Sequence, residues 1–284
     1  MESSVRTSYG AQLQTALLLG VPVVLQASST LNEKFDIQAN THIATTDRPA
    51  MKYLAAGNGG HKIATGADGD IGLFDSKQHK PTDAALFNHL PWVLRALNND
   101  LTAAQRAGYA LRRIETHDGV QYAAYYLRRL DYTNVAVTTE YKTVVDGVTT
   151  TTSFIPNSGN LNPTAEALAN TGTNTTSGDY VATTAKMTFT LSESDATELL
   201  ASAKIIHGNE NYAIISEIAL VSGVDRAVQV TGSAGATFSF NEVIGAQVVM
   251  FTSEMIVMKF NNSGATIVMD VGATEPMFIV GSST

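Results

Sequence analysis

Residues 109–155 read YALRRIETHDGVQYAAYYLRRLDYTNVAVTTEYKTVVDGVTTTTSFI. β-Branched and aromatic residues alternate with polar ones along this segment, which is typical of strands with one buried face. Asp118-Gly119 and Asp146-Gly147 each separate two such runs, and an Asp-Gly pair between β-formers predicts a tight hairpin. The segment therefore predicts a four-stranded antiparallel meander. Its strands are expected at 109–115, 120–131, 135–145 and 148–155.

Downstream, residues 156–179 are rich in Asn, Gly, Thr and Ser and predict a long loop, because they cannot bury enough apolar surface to become ordered. Ser192 and Asp195 then have the spacing of a helix N-terminus, so a helix is expected to reach Ile206. Five strands are expected around this helix, at 180–191, 212–222, 236–240, 246–260 and 265–271, with a hairpin turn at 261–264 joining the last two.

Upstream, a helix is predicted over 84–97, with Thr82 or Asp83 as N-cap and Pro91 kinking it or ending its first half. Thr102 and Gln105 form a capping-box pattern that predicts a short helix over 103–108. Residues 41–80 are dominated by turn formers and interrupted by one strand at 51–56. Pro22 interrupts any helix over 12–20, so residues 1–40 are expected to form an arm that becomes extended after a short helix.

These elements predict an α+β fold, predominantly antiparallel β, with sandwich or barrel-like sheets, a few short helices and an extended N-terminal arm. The predicted segments are an arm (1–40), a loop-rich region with two short helices and the meander (41–155), a long loop (156–179) and a β-rich second half with one helix (180–284). Alternatively, the whole chain forms a single composite domain.

Composition favours a protein that contacts other polypeptides. Of the 284 residues, 44% are hydrophobic and only 15% are charged, against roughly 25% charged in ordinary soluble domains. Short uncharged side chains lose little entropy when a neighbouring chain orders them, although a Thr-rich chain is also simply β-rich. The net charge of −8 argues against nucleic-acid binding.

The apolar run 16–27 is too short to span a bilayer, so no membrane partner is predicted. It supplies three candidate interface residues, Leu18, Val23 and Val24.

No motif predicts a catalytic, cofactor-binding or metal site. The cluster Gly57-Asn58-Gly59-Gly60-His61-Lys62 matches neither glycine-rich phosphate-binding pattern, which favours a structural loop. Cysteine is absent, and the six histidines lack metal-ligand spacing, so solvated or hydrogen-bonded histidines are expected. Ser216-Glu217 has no histidine at an informative spacing. The sequence therefore predicts a protein that is not an enzyme, with a hydrolase assembled from dispersed residues as an alternative.

Two arginine pairs are the remaining candidates for an interface: Arg112, Arg113, Arg128 and Arg129. They lie in strands that the Asp118-Gly119 turn makes neighbours, and like charges on one face of a sheet are destabilising without acidic partners. Those partners would be either carboxylates within the fold, namely Glu115, Asp131 or Glu140, or acidic residues of an adjacent subunit.

Four phrases of the sequence occur together: YLAAGNGGH (53–61), TDAALF (82–87) with PWVLR (91–95), LTAAQR (101–106) and IISEIALVSG (214–223). Together they resemble virion structural proteins of contractile-tailed bacteriophages, over most of the chain beyond about residue 45. The phrase at 214–223 is also similar to a strand of phage tail-fibre and collar domains, with Ala219 where those domains usually carry Gly.

The resemblance implies a structural subunit of the virion, assembled in the host cytoplasm. It would form or decorate a homo-oligomeric ring at the neck, collar or tail and connect head, tail or fibres. Its partners would be copies of itself and neighbouring phage structural proteins. The alternative is a capsid-decorating or receptor-facing module that binds carbohydrate or protein, which an exposed cluster of Tyr122, Tyr125 and Tyr126 would favour.

Overall fold

The structure is a computed structural model that describes residues 3–25, 31–37, 43–67, 71–163, 174–258 and 265–280. Its strands are β1 (Ser3–Arg6), β2 (Ala50–Gly57), β3 (Lys62–Thr65), β4 (Ile71–Phe74), β5 (His89–Leu90), β6 (Val93–Ala96), β7 (Tyr109–His117), β8 (Val120–Arg129), β9 (Val137–Val145), β10 (Val148–Ser153), β11 (Asn174–Thr190), β12 (Ile214–Thr231), β13 (Thr237–Val257) and β14 (Thr266–Val280). Its α-helices are α1 (Ser8–Leu19), α2 (Leu31–Lys34), α3 (Ala103–Arg106), α4 (Ser158–Leu161) and α5 (Glu193–His207). Three short 3₁₀ helices lie at Leu97–Asn99, Glu210–Tyr212 and Ser233–Gly235.

The chain divides into two compact units, both discontinuous in sequence. Unit 1 comprises Met1–Asp131 and Leu191–Ala265, and unit 2 comprises Tyr132–Thr190 and Thr266–Thr284. This division differs from the predicted one, because segments distant in sequence pair in each sheet. The fold is α+β with antiparallel sheet predominating, as predicted.

Unit 1 is built on an eight-stranded antiparallel sheet in the order β1-β13-β12-β2-β8-β6, with β5 paired to β2 and β7 to β8. Helices α1 and α2 pack on β13, and α5 packs on β6. The predicted N-terminal arm is therefore partly wrong: β1 pairs with β13, and Tyr9 and Leu13 of α1 are buried. The strands β3 and β4 form a separate hairpin.

Unit 2 contains a four-stranded antiparallel sheet in the order β10-β9-β11-β14. Both Asp-Gly hairpins form as predicted, and the Asp and Gly of each turn have positive φ angles. The four-stranded meander is wrong, however, because β7 and β8 belong to unit 1 whereas β9 and β10 belong to unit 2. Both edges of β8 are already occupied, one by β7 and the other by β6 and β2, so β9 has no edge of β8 to join.

The C-terminal strands are also paired differently from the prediction. β14 pairs with β11 and not with β13, and the predicted turn at 261–264 lies outside the described residues. β11 begins at Asn174, inside the segment that was predicted to be a loop.

The predicted helix over 84–97 is wrong, since the segment instead forms turns followed by β5 and β6. Trp92 is almost fully buried and its indole N–H donates to the carbonyl of Leu54 at 3.1 Å, while Val93–Ala96 pairs with β8. Tertiary pairing overrides helix propensity here.

The two predicted capping signals are confirmed. Thr102 and Gln105 form a capping box on α3, and Ser192 and Asp195 form one on α5, which ends at Gly208 in the left-handed conformation. Leu199, Leu200 and Ala203 of α5 are buried.

Candidate functional site

A buried carboxylate lies at the centre of unit 1. Glu217 is on β12, between β2 and β13, and is 0% exposed. Its Oε1 accepts hydrogen bonds from the backbone amides of Gly59 and Asn88, both at 2.9 Å. Its Oε2 accepts from the Phe87 amide at 2.9 Å and from His79 Nε2 at 2.8 Å. These five residues are called the carboxylate centre below.

His79 joins this carboxylate to a second one. Its Nδ1 lies 3.1 Å from Asp83 Oδ2, and its ring stacks between those of Phe87 and Phe251 at centroid distances of 4.1 and 3.8 Å. Because ionised carboxylates only accept hydrogen bonds, both contacts form together only when both ring nitrogens carry a proton.

The glycine cluster packs against this carboxylate. A Cβ on Gly57 would lie 2.6 Å from Glu217 Oε1, and one on Gly60 would lie 2.6 Å from the Ser216 carbonyl oxygen. Glycines let the backbone of this loop approach β12, and the Gly59 amide donates to a carboxylate of the chain itself.

Burial disfavours the charged form of three more ionisable groups near the centre. Burial lowers the pKa of His89 to about 3, and its Nδ1 has no hydrogen-bond partner. Burial also lowers the pKa of His61, with Lys77 adding to the effect, and neither ring nitrogen of His61 has a partner. The prediction of solvated or hydrogen-bonded histidines is therefore wrong for His61. Burial lowers the pKa of Lys34, and Glu217 partly offsets this.

The hydrogen bonds of the carboxylate centre cross-link separate parts of unit 1. All four favourable acceptor positions of Glu217 are used by groups of the chain, and no part of its side chain reaches solvent. Within the described ranges, no group of three or more His, Asp or Glu residues could hold a metal ion. The centre therefore joins the loops at 57–60 and 79–88 to the middle of the sheet.

Each predicted arginine makes an ion pair within unit 1, and each of these partners is a carboxylate that was not named from the sequence as a candidate partner. No arginine of β7 lies directly opposite an arginine of β8 in the strand register. The pairs are Arg112 with Asp100, Arg113 with Glu242, Arg128 with Asp195, and Arg129 with Asp225. Their role at an interface stays a prediction.

Tyrosines complete this network. Tyr125 donates to Asp100 at 2.6 Å, Tyr53 donates to Asp225 at 2.7 Å, and Tyr126 donates to Glu115. Burial and these carboxylates raise the pKa of each phenol. Tyr125 and Tyr126 are buried, so the exposed aromatic cluster that would favour a binding module does not form from these residues and Tyr122.

Two depressions near these pairs are small for ligand sites. Their volumes are about 240 and 230 Å³, below the ~300 Å³ typical of small-molecule pockets. The first includes Arg106 and Arg129, and the second includes Arg95 and Arg128. Carboxylates of the chain already lie against these guanidinium groups.

The surface at the end of α1 and in the segment after it is rich in exposed aliphatic side chains. Leu18 is 85% exposed and Val24 is 64% exposed, whereas Val23 is half-buried. The exposed aliphatic residues of this surface, called the α1 patch below, are Leu17, Leu18, Leu19, Val21 and Val24.

The sheet of unit 2 has two unlike faces, because successive side chains of a strand alternate in direction. One, called the apolar face below, exposes Val137, Val145 and Val148, which are 72%, 61% and 67% exposed. The same face includes Tyr141, Val181, Ala185 and Val271. The opposite face carries Glu140, Lys142, Lys186 and Asp270.

The fold and its contacts describe an α+β protein dominated by antiparallel sheet. In unit 1, the buried ionisable groups are bonded mainly to one another. The chain belongs to a family of unknown function, DUF7208, whose model matches residues 1–284. No curated protein and no solved structure matches it. No helix among the described residues has the length and apolar character needed to cross a membrane.

Proposed function

We propose that this chain is a non-enzymatic structural subunit of a phage particle, which forms or decorates a homo-oligomeric ring at the neck, collar or tail. The α1 patch carries the proposal. Five exposed aliphatic residues within eight positions make an unusually apolar surface for a monomer, and such surfaces are typical of protein contacts. Neighbouring copies and other virion proteins are the partners that would cover it.

Two further features support an architectural role. The carboxylate centre has no free acceptor for a substrate, and the small depressions near the arginines are neutralised by the chain's own carboxylates. The low charged fraction of 15% is consistent with a surface largely covered by neighbours. Burial of Tyr125 and Tyr126 removes the feature that would favour a carbohydrate-binding module.

The test is mass photometry of the purified chain over a concentration series, with Leu18→Ser, Leu19→Ser and the two combined. The unmodified chain is expected to form a discrete oligomer, and the double variant to need at least tenfold more protein for assembly. Leu161→Ser is the control, since Leu161 is 62% exposed on α4, away from the α1 patch in sequence. A chain that stays monomeric throughout would contradict the proposal.

A further inference from the structure

Among the described residues, no strand pairs with the outer edge of β10 or of β14 in the unit 2 sheet. The Phe154 amide donates to the Thr139 carbonyl at 3.0 Å, so alternate residues of β10 point their backbone groups toward β9 and the others point away. The outward residues of β10 are Thr149, Thr151 and Ser153. Within the described chain, no strand pairs with this edge.

The same reasoning applies to β14. The Leu191 amide donates to the Ala265 carbonyl at 2.8 Å, and the register with β11 is continuous from there to Pro276. Residues 268, 270, 272 and 274 therefore point their backbone groups away from β11. Pro276 continues this alternation, so the position of its missing N–H also points away from β11. Proline is tolerated at such an edge.

We infer that β10 of one copy pairs with β14 of the next copy, which continues the unit 2 sheet from subunit to subunit around the ring. This inference rests on the proposed function. The strand directions fit: the sheet has four alternating strands, so β10 and β14 run in opposite directions, and a head-to-tail junction is antiparallel like every other pair. A head-to-tail contact is also the kind that closes a ring, and the closed ring leaves no sheet edge exposed.

Charge sets the register of this junction. On the β10 side, Lys142 Nζ donates to Thr151 Oγ1 at 2.9 Å and lies 2.5 Å from Glu140. On the β14 side, Asp270 is exposed and makes no ion pair within the described ranges. Pairing Thr151 with Asp270 of the next copy brings that carboxylate to Lys142. It also forms about six backbone hydrogen bonds, two at each of three closely bonded pairs.

The apolar face continues across the same junction. In this register Thr150 lies beside Val271, and Val148 lies beside Ala273 of the next copy. The exposed Val148 thus gains an apolar neighbour, and β10, which has no charged residue, meets no like charge at this edge.

Disulfide cross-linking tests the junction cleanly, because the chain has no cysteine of its own. A chain carrying both Thr150→Cys and Val271→Cys is oxidised and run on a non-reducing gel. These two positions form a non-hydrogen-bonded pair, in which the Cα atoms are about 4.5 Å apart, within disulfide range. A ladder of covalent multimers that reductant collapses is expected. The control carries Thr150→Cys and Thr274→Cys, which lie on opposite faces, and is expected to give no ladder.

Other outcomes separate this inference from the proposed function. Covalent dimers from Thr150→Cys or Thr151→Cys alone would show two β10 strands pairing with each other and would overturn the head-to-tail junction. An oligomer seen by mass photometry without a ladder would overturn the junction and leave the ring in place. A chain that is monomeric at every concentration would overturn both.

Discussion

Replacing Glu217 with Gln tests whether the carboxylate centre holds unit 1 together. The side chain keeps its shape, but one acceptor oxygen becomes an NH₂ donor that must face existing donors. The better orientation places the new NH₂ group toward the Phe87 amide and His79, because His79 can accept a hydrogen bond through Nε2 when that nitrogen is deprotonated. The Phe87 N–H is then left buried without an acceptor.

The magnitude follows from these contacts. An unpaired buried donor costs about 1–3 kcal/mol, and the hydrogen bonds from Gly59 and Asn88 lose their charged acceptor, which roughly halves their strength. Together these losses predict destabilisation by about 2–4 kcal/mol. With a urea dependence of about 2 kcal/mol per molar, the unfolding midpoint falls by about 1–2 M.

Trp92 makes the measurement specific to unit 1. It is the only tryptophan in the sequence and is 1% exposed, so its fluorescence in a urea titration reports unfolding of that unit. Glu193→Gln is the control, an exposed carboxylate in the first turn of α5 whose loss is expected to cost only about 0.3–1 kcal/mol. Equal midpoints for the two variants would refute the reasoning about the carboxylate centre.

Three further predictions address helix capping, protonation and sheet pairing. Ser192→Ala removes the capping box of α5 and is expected to cost about 1 kcal/mol; an unchanged Trp92 urea midpoint would contradict this. His89 binds its proton more weakly in the folded state than in the unfolded one. Its contribution to the free energy of unfolding is therefore complete above about pH 6.5 and is lost as the pH falls toward 3, by at most about 1.4 kcal/mol per pH unit. In urea titrations at several pH values, His89→Phe should reduce this loss of stability at low pH. Gly272→Ala places a Cβ 2.0 Å from the Thr183 carbonyl oxygen and is expected to weaken the β11–β14 pairing, seen as faster amide exchange across both strands; unchanged exchange would refute it.

Short sequence signals for turns and helix caps correctly predicted two hairpins and the starts of two helices. The Asp-Gly turns fix hairpins through their positive φ angles, and the Ser192 and Thr102 caps fix helix starts, because each depends on residues within four positions of one another. Sheet membership depends on which edges remain free. The sequence did not show that both edges of β8 would be occupied, so the four-stranded meander was a natural but wrong extension of two correct hairpins.

The carboxylate centre was missed because its members are far apart in sequence. Glu217 and His79 are separated by 138 residues, and neither lies in a motif with diagnostic spacing. One signal was present: Glu217 stands in the apolar run IISEIALV at 214–221, and a charge within a buried strand requires partners. That rule predicts a buried pair, but it does not identify which histidine or which loop amides supply it.

The pairing of β1 with β13 sets the order of events during synthesis. Ser3 lies opposite Ser253, so the first strand has no partner until nearly the whole of unit 1 has been translated. Until then the edge of β1 and the nearby aliphatic residues of α1 stay open to solvent and to chaperones. Such long sequence separations also slow folding. A growing chain therefore cannot complete its large sheet until most of unit 1 has been translated.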